Sequence, residues 1–211
     1  MAKGLLIAAF DFSRVAEDEF NDWYDTEHIP ERRRVSGFLS CERWLGAENP
    51  RLSVATYDLS SLAVLKSPEY LKIAYQNLSP WSKRVTQRST RILRFEGEQI
   101  LPGEERAPQD AGGLLLVAFN VGREALSEFN DWYDKAHIPA LSRVPGVLSA
   151  RRFRAGDSSH TYLALYHLEA PEVVTGGAWQ RAAAATPSPE RIRPQMKDRL
   201  RLLCRNYRRA G

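Results

Sequence analysis

A repeated motif constrains the fold of this chain more than any other feature. The residues Phe-Asn-Asp-Trp-Tyr-Asp at 20–25 and His-Ile-Pro at 28–30 recur at 129–134 and 137–139, an offset of 109 residues. The same offset relates positions throughout the chain, among them Leu5 and Leu114, Phe10 and Phe119, Gly37 and Gly146, Arg43 and Arg152, and Tyr57 and Tyr166. Repeats that build solenoids are only about 20–50 residues long. The sequence therefore predicts two fused copies of a small globular unit.

Length and composition fit two such units. The chain has 211 residues, of which 43% are hydrophobic and 27% are charged. A unit of about 100 residues can bury a core without disulfides or a structural metal. We predict a first domain at 1–96, a linker with several prolines and glycines at 97–112, and a second domain at 113–211.

The sequence predicts neither a membrane nor a nucleic acid as partner. Cys41 and Cys204 occupy non-equivalent places in the repeat, which favours reduced thiols and a cytoplasmic location. The apolar run at 4–12 is too short to span a membrane. The net charge is +4, and the arginine-rich stretches at 32–34 and 191–209 are interpreted as solvated surface, because no nucleic-acid-binding pattern accompanies them.

Hydrophobic patterning predicts one order of elements for both copies. In the first copy we predict strands at 4–12, 38–44, 52–59 and 91–95, a helix at 16–29 that Pro30 ends, and a second helix from Ser60 or Ser61 to Leu78. The second copy runs from Leu114 to about Tyr207. This β-α-β-β-α-β order is the ferredoxin-like split motif. Two such α+β domains can pack their sheets face to face as a closed barrel, which covers both apolar faces.

One face of the first helix carries the candidate chemistry. At about 100° per residue, Phe20, Trp23, Tyr24, Glu27 and His28 share one arc. A phenol or imidazole on such a buried arc is partly desolvated, which shifts its pKa and suits proton transfer to an organic ligand. In the alternative interpretation the aromatic residues are core and the histidine caps the helix end.

Comparison of the two copies favours the first as the more reactive site. Glu27 corresponds to Ala136, so the position is predicted to be buried and the pKa of Glu27 to be raised by desolvation. Glu27 can equally reach past the helix end to pair with Arg32 or Arg43.

Two further polar positions are kept in both copies. Asp25 and Asp134 precede the histidine by three residues, so each carboxylate can contact the imidazole or pair with Arg34 or Arg143. Asn21, like its counterpart Asn130, is predicted to orient a ligand or, preferably, to tie the helix to the neighbouring strand.

Several familiar chemistries lack support in the residues. Each motif has a single histidine, and His160 and His167, seven apart on a strand, are predicted to point to opposite faces, which disfavours zinc. There is no glycine-rich phosphate loop, dinucleotide fingerprint or nucleophile elbow. We therefore predict no metal and no cofactor.

The two motif runs, each followed by Val-Ser-Gly-Phe at 35–38 or Val-Pro-Gly-Val at 144–147, resemble the dimeric α+β barrel superfamily, most closely its EthD-like members. Single-domain relatives pair as homodimers, so the resemblance implies a fused pseudo-dimer, with further homo-oligomerisation left open. The superfamily includes polyketide cyclases, cofactor-free monooxygenases, muconolactone-type isomerases, dehydratases, haem enzymes and proteins with no known activity. Because a single axial histidine suffices for haem, the resemblance leaves haem open.

Together these observations predict an enzyme that performs metal-free proton transfer on a small aromatic, polyketide-like or lactone-like metabolite, as an isomerase, cyclase or lyase. The alternatives are a non-catalytic ligand-binding or accessory protein and a cofactor-free monooxygenase. The predicted catalytic residues are His28, Glu27, Asp25, Tyr24 and His137. The predicted substrate-binding residues are Trp23, Asn21, Arg34, Arg43, Trp132, Tyr133, Asp134, Arg143 and Arg152.

Overall fold

Eight antiparallel strands close into a barrel in the computed structural model, which describes residues 3–209. The strands are β1 (Gly4–Asp11), β2 (Phe38–Gly46), β3 (Leu52–Leu59), β4 (Thr90–Leu101), β5 (Gly113–Val121), β6 (Val147–Ala155), β7 (Tyr162–Leu168) and β8 (Met196–Asn206). Their order around the barrel is β1-β3-β2-β8-β5-β7-β6-β4. The expected α+β fold with a closed antiparallel barrel is therefore present.

Two long helices carry the repeated motifs, and each contains a π-helical segment at the same place. Helix α1 (17–33) consists of Glu17–Asp22, the π segment Trp23–His28, and Ile29–Arg33. Helix α3 (126–142) consists of Leu126–Trp132, the π segment Tyr133–His137, and Ile138–Ser142. Helix α2 (Pro80–Arg88) and helix α4 (Gly177–Ala185) follow later in each copy. Within the described residues, no helix has the length and apolarity needed to cross a membrane.

The sequence predicted that helix α1 ends at Pro30, but the helix continues to Arg33. In the π segment the Ile29 N–H bonds to the Tyr24 carbonyl, five residues back. This shift places Pro30 in the first turn of the following α segment, where a missing N–H costs least. π-bulges of this kind occur frequently at functional sites.

The predicted second helix of the first copy was also wrong. The segment from Ser60 to Leu78 forms only short turns, at Leu62–Lys66, Pro68–Leu71 and Tyr75–Asn77. Prolines at 68 and 80 force the preceding Ser67 and Ser79 into extended conformations, which interrupts a continuous helix. Each serine then caps a new helical segment by accepting a hydrogen bond through its side chain.

Strand β4 is longer than predicted, whereas β3 has the predicted bounds. The extension at 97–101, which the sequence assigned to the linker, pairs with β6, beginning with Gly97 opposite Ala155. On the other side of the barrel, β2 pairs with β8 at Trp44 and Asn206. These two junctions close the barrel, so part of the presumed linker is a structural strand.

The barrel interior is a packed core of its own. Successive side chains in a strand point to opposite sides of the barrel wall. In β1, Leu5 and Ile7 point into the interior, whereas Leu6 and Phe10 pack against helices on the outside. The cavities lined by the two motifs therefore lie outside the wall, between it and the helices.

Candidate functional site

The larger of the two motif-lined cavities lies in the second copy and has a volume of about 550 Å³. This value is within the roughly 300–1,000 Å³ of small-molecule sites. Strands β5 and β8, helices α3 and α4 and the segment at 186–193 enclose it. Its lining includes Phe119, Trp132, Tyr133, His137, Tyr166, Trp179, Thr186, Arg199 and Arg201.

Thr186 determines which nitrogen of His137 carries the proton. The Thr186 hydroxyl donates its one proton to the Ala182 carbonyl oxygen at 3.1 Å. With its proton on that carbonyl, the hydroxyl accepts from the Nδ1–H of His137, 3.1 Å away, and this assigns the ring proton to Nδ1. In the neutral ring Nε2 then carries the lone pair, and it makes no hydrogen bond within residues 3–209.

The environment of His137 keeps the imidazole neutral. Burial lowers the pKa of His137, the contact with Thr186 opposes this effect, and the positive charge of Arg199 lowers the pKa further. A neutral imidazole with an unprotonated Nε2 is a general base. Trp132 packs against this ring with centroids 4.8 Å apart and donates its indole N–H to the Thr186 carbonyl at 3.2 Å.

Tyr133 is placed beside this base as a proton donor. Its ring centroid lies 5.2 Å from that of His137. Burial raises the pKa of Tyr133 to about 12, although Tyr166 and Arg152 oppose the shift. The phenol therefore stays protonated at neutral pH and can donate a hydrogen bond to a developing oxyanion.

The cavity of the first copy is much smaller, about 120 Å³. His28 lines it together with Trp23, Tyr57, Tyr70, Tyr75 and Arg94. Burial, followed by the charges of Arg32, Arg43 and Arg94, lowers the pKa of His28 well below its ordinary value. Its Nδ1 is buried without a partner among the described residues, so no contact like that of Thr186 orients the ring.

Tyr24 does not line the cavity of the first copy, in contrast to Tyr133 in the second. Its side chain is fully buried, and Arg43 lies over its ring at 4.3 Å. Burial raises the pKa of Tyr24 to about 12, with Arg43 opposing. Tyr24 therefore lies in the core beside the first cavity, and its catalytic role stays a prediction.

Glu27 has a structural partner, which removes the basis for favouring the first copy. Its Oε1 accepts hydrogen bonds from the hydroxyls of Ser79 at 2.6 Å and Ser82 at 3.1 Å. Ser82 in turn accepts from the indole N–H of Trp23 at 2.9 Å. Glu27 thus fixes the start of helix α2 and pairs neither with His28 nor with an arginine. In the second copy Ala136 takes the place of Glu27, so this contact is missing there.

One prediction was that Asp25 and Asp134 contact the histidines. In the structure each carboxylate pairs with an arginine instead. Arg43 donates to Asp25 at 3.3 Å and to Asn21 at 2.9 Å. In the second copy Arg152 donates to Asp134 at 2.5 Å and to Asn130 at 2.7 Å. We call each set an arginine clamp: Asn21–Asp25–Arg43 and Asn130–Asp134–Arg152. The clamps tie helix to strand and line neither motif cavity, so the catalytic and substrate-binding roles of their members stay predictions.

Arg34 and Arg143 also lie away from the cavities. Both side chains are exposed at the ends of α1 and α3, and neither lines a motif cavity. The structure therefore does not bring these two arginines to either motif cavity, and their substrate-binding role stays a prediction. Their similarity between the copies reflects a shared surface position.

The structure adds three residues that the sequence did not single out: Thr186, Arg199 and Arg201. The two arginines are on β8, where residues two apart share a face. Strand register pairs Val117 with Arg201 and Ala8 with Arg94. These arginines are 107 residues apart rather than 109, so the repeat offset alone does not align them. A search that allowed for a two-residue deletion would have found the pair.

The residues permit haem in only one of the two cavities. The first cavity, at about 120 Å³, is smaller than ordinary ligand sites. In the second, His137 would hold a haem, and a bound haem would supply oxidation chemistry. Among the described residues, no group of three or more histidine, cysteine or carboxylate side chains is arranged to hold a metal ion.

Comparison with known proteins bears on the fold. No protein-family model matches the chain, and no curated protein is similar to it in sequence. Solved structures similar to it include an anthrone oxidase-like protein, with a TM-score of 0.67 at 12% identity over 97% of this chain and 92% of the other. A candidate monooxygenase of Fusobacterium nucleatum gives 0.63 at 9% identity, covering 98% and 93%.

A mutant chlorite dismutase of Candidatus Nitrospira defluvii, in complex with cyanide, is a further structural neighbour. It gives a TM-score of 0.58 at 12% identity and covers 98% of this chain and 91% of the other. At such low identity the similarity concerns the fold alone. The chain therefore has the eight-stranded fold of the dimeric α+β barrel proteins.

Proposed function

We propose that the chain is a small-molecule enzyme that transfers protons on an organic substrate in the cavity of the second copy. The observation that carries this proposal is the pair of His137 and Tyr133 on one cavity of about 550 Å³. The first is a neutral base with a defined tautomer, and the second is a phenol that stays protonated. A base and an acid whose surroundings hold them in these two states at neutral pH are suited to acid–base catalysis.

In the proposed reaction, Nε2 of His137 removes a proton from a carbon next to a carbonyl group. The C–H electron pair moves into an enolate, and Tyr133 stabilises the enolate oxygen by a hydrogen bond. Return of the proton to a different carbon completes an isomerisation. Dehydration follows when His137 returns this proton to a β-hydroxyl, which leaves as water as the C=C bond forms. Cyclisation follows when the carbanion attacks a second carbonyl, whose oxygen then takes the proton from His137.

The proposal includes the architecture of a cytoplasmic, EthD-like fused pseudo-dimer. The strand order contains β4-β1-β3-β2 followed by β8-β5-β7-β6, which is the ferredoxin-like order twice. This supports domains at 1–96 and 113–211, with residues after 101 as the connection. It also gives a reason for two unequal cavities, since a fused duplicate can lose one of its sites.

A second candidate function is a cofactor-free monooxygenase. It is favoured by the aromatic lining of the cavity, with Phe119, Trp132 and Trp179, and by neighbours described as an anthrone oxidase-like protein and a candidate monooxygenase. The carbanion formed by His137 would then react with oxygen. The remaining alternative is a binding or accessory protein that uses the same cavity without catalysis.

Two probes distinguish these functions, anthrone and α-angelica lactone, because removal of one C–H proton from either gives a carbanion that is delocalised onto the carbonyl oxygen. Under argon in D₂O, proton NMR should show faster deuterium exchange or double-bond migration with the protein than without it. His137→Ala should lose about 10²–10⁴-fold of the rate, whereas His28→Ala should stay close to the parent protein.

Oxygen consumption with formation of anthraquinone, absent under argon, would favour the monooxygenase. If both probes bind without exchange or oxidation, the chain is a non-catalytic binding or accessory protein. Equal losses in His28→Ala and His137→Ala would refute the assignment of the site to the second copy.

A further inference from the structure

Each copy presents one arginine to its cavity from the same strand position. Arg94 on β4 pairs with Ala8, and Arg201 on β8 pairs with Val117, which is 109 residues after Ala8. Both arginines line the cavity of their copy. The two copies therefore provide an internal comparison of what surrounds an equivalent cation.

In the first copy the positive charge of Arg94 is already compensated. Its guanidinium forms an ion pair with Glu96 at 2.5 Å. It also donates to the hydroxyls of Tyr70 and Tyr75, each at 3.3 Å. Groups of the protein itself thus already bind this arginine, and two of them, Tyr70 and Tyr75, also line the cavity.

In the second copy all three partners are replaced. Strand register puts Leu203 in the place of Glu96, since Leu6 pairs with Glu96 and Leu115 with Leu203. The repeat offset puts Trp179 in the place of Tyr70 and Ala184 in the place of Tyr75. The carboxylate and both hydroxyls are lost together, while the arginine is kept.

A second cation stands beside Arg201. Arg199 lines the same cavity two residues earlier on β8, and neither guanidinium forms an ion pair or hydrogen bond within residues 3–209. Burial and the charge of Arg199 lower the pKa of Arg201, while Glu48 opposes the shift without forming an ion pair. The charge of Arg199 also lowers the pKa of His137 and the pKa of Tyr133. Two cations without an ion-pair partner among the described residues therefore line a cavity that also holds His137 and Tyr133.

We propose that the cavity of the second copy binds an aromatic carboxylate, with its carboxyl group between Arg199 and Arg201 and its ring against Trp132 and Trp179. Guanidinium groups bind carboxylates through short, charge-assisted hydrogen bonds, and the two indoles offer flat faces for a ring. The substrate class rests on the function proposed above, because the same cavity holds His137. It adds that the substrate is an anion before the reaction begins.

The test measures binding and not turnover. Salicylate is titrated into the full-length protein by isothermal calorimetry, with the neutral salicylamide as the matched ligand. Salicylate should bind, and salicylamide should bind at least about 10-fold more weakly. Arg201→Gln and Arg199→Gln should each weaken salicylate binding by about 10- to 100-fold, the equivalent of one charge-assisted hydrogen bond. Arg154→Gln, an exposed change on β6, should leave binding unchanged.

Leu203→Glu is the sharpest variant, because it restores the carboxylate that the first copy holds at Glu96. It should abolish salicylate binding, whereas Leu203→Gln, of the same size but neutral, should keep most of it. Thermal denaturation of both variants shows whether they fold. Should Leu203→Glu fail to fold, the Arg199→Gln and Arg201→Gln measurements decide the question.

Equal affinity for salicylate and salicylamide, or unchanged binding in both arginine variants, would overturn the anion site. Salicylate binding without proton exchange on the probes would refute the proposed reaction alone. Exchange without any preference for the anion would refute this inference alone.

Discussion

Arg152 joins strand β6 to helix α3 by donating from Nη1 to Oδ1 of Asp134 at 2.5 Å. The guanidinium is fully buried, whereas the side chain of Asp134 is 30% exposed. The other nitrogen donates to Asn130 at 2.7 Å. Three residues kept in both copies thus serve to attach the motif helix to the sheet, and their retention reflects architecture.

Replacement of Arg152 should destabilise the fold strongly. Arg152→Met removes the buried cation, leaves Asp134 without its partner, and should lower the free energy of unfolding by about 3 kcal/mol, the low end for breaking a buried pair, because Asp134 keeps access to water. Urea denaturation measures this loss. Arg154→Met, exposed on the same strand, is the control and should change it by less than about 0.5 kcal/mol. Similar losses in both variants would contradict the clamp.

Glu27 should matter for stability and not for catalysis. Glu27→Ala removes the acceptor of the Ser79 and Ser82 hydroxyls at the start of α2 and should cost about 1 kcal/mol, as loss of a helix cap does. Urea denaturation tests the cost, with the exposed Glu98→Ala as control. The rate of deuterium exchange should stay within about twofold of the parent. A 100-fold loss of rate would restore Glu27 as a catalytic residue.

The pH dependence of exchange should report the pKa of His137. Burial and Arg199 lower this pKa below the ordinary 6.5, and the base is active when unprotonated. As the pH is lowered, the rate constant kcat/KM should therefore fall with a midpoint below pH 6.5. Arg199→Gln removes a repelling charge, so it should raise the pKa and move this fall to higher pH. A fall centred above pH 6.5 in the parent protein would contradict the assignment.

Glu42 should make stability depend on pH in the opposite direction to an ordinary paired carboxylate. Burial, with the nearby Asp58, raises its pKa to about 7 from 4.5, although Arg151 opposes the shift. Between these values the folded protein binds the proton more tightly than the unfolded chain does, so this carboxyl contributes less stability as pH rises.

Glu42→Gln cannot ionise, so its melting temperature relative to the parent should increase from pH 4.5 to pH 8. Thermal denaturation at several pH values measures this difference, and the exposed Glu98→Gln provides the baseline. A difference that does not change with pH would show that Glu42 titrates normally.

Local patterns in the sequence were sufficient for most of the sheet. The strand at Leu52–Leu59 has the predicted bounds. The alternation of apolar and polar residues and the turn residues at both ends define a strand within a few positions. Helices were harder to predict. Pro80 begins helix α2, whereas Pro30 lies inside α1. Whether a proline begins or interrupts a helix depends on the hydrogen bonds of the preceding turn.

By itself, the sequence determined the duplication, the order of elements and the presence of one histidine beside each cavity, because the repeat and the hydrophobic periodicity are written along the chain. Only the tertiary structure decided which copy has room for a ligand. That choice depends on contacts between distant elements: Thr186 orients His137, Arg199 and Arg201 come from β8, and Tyr70, Tyr75 and Glu96 surround Arg94 in the other copy. Cavity volume and desolvation arise from packing, so residues far apart in the chain set them together.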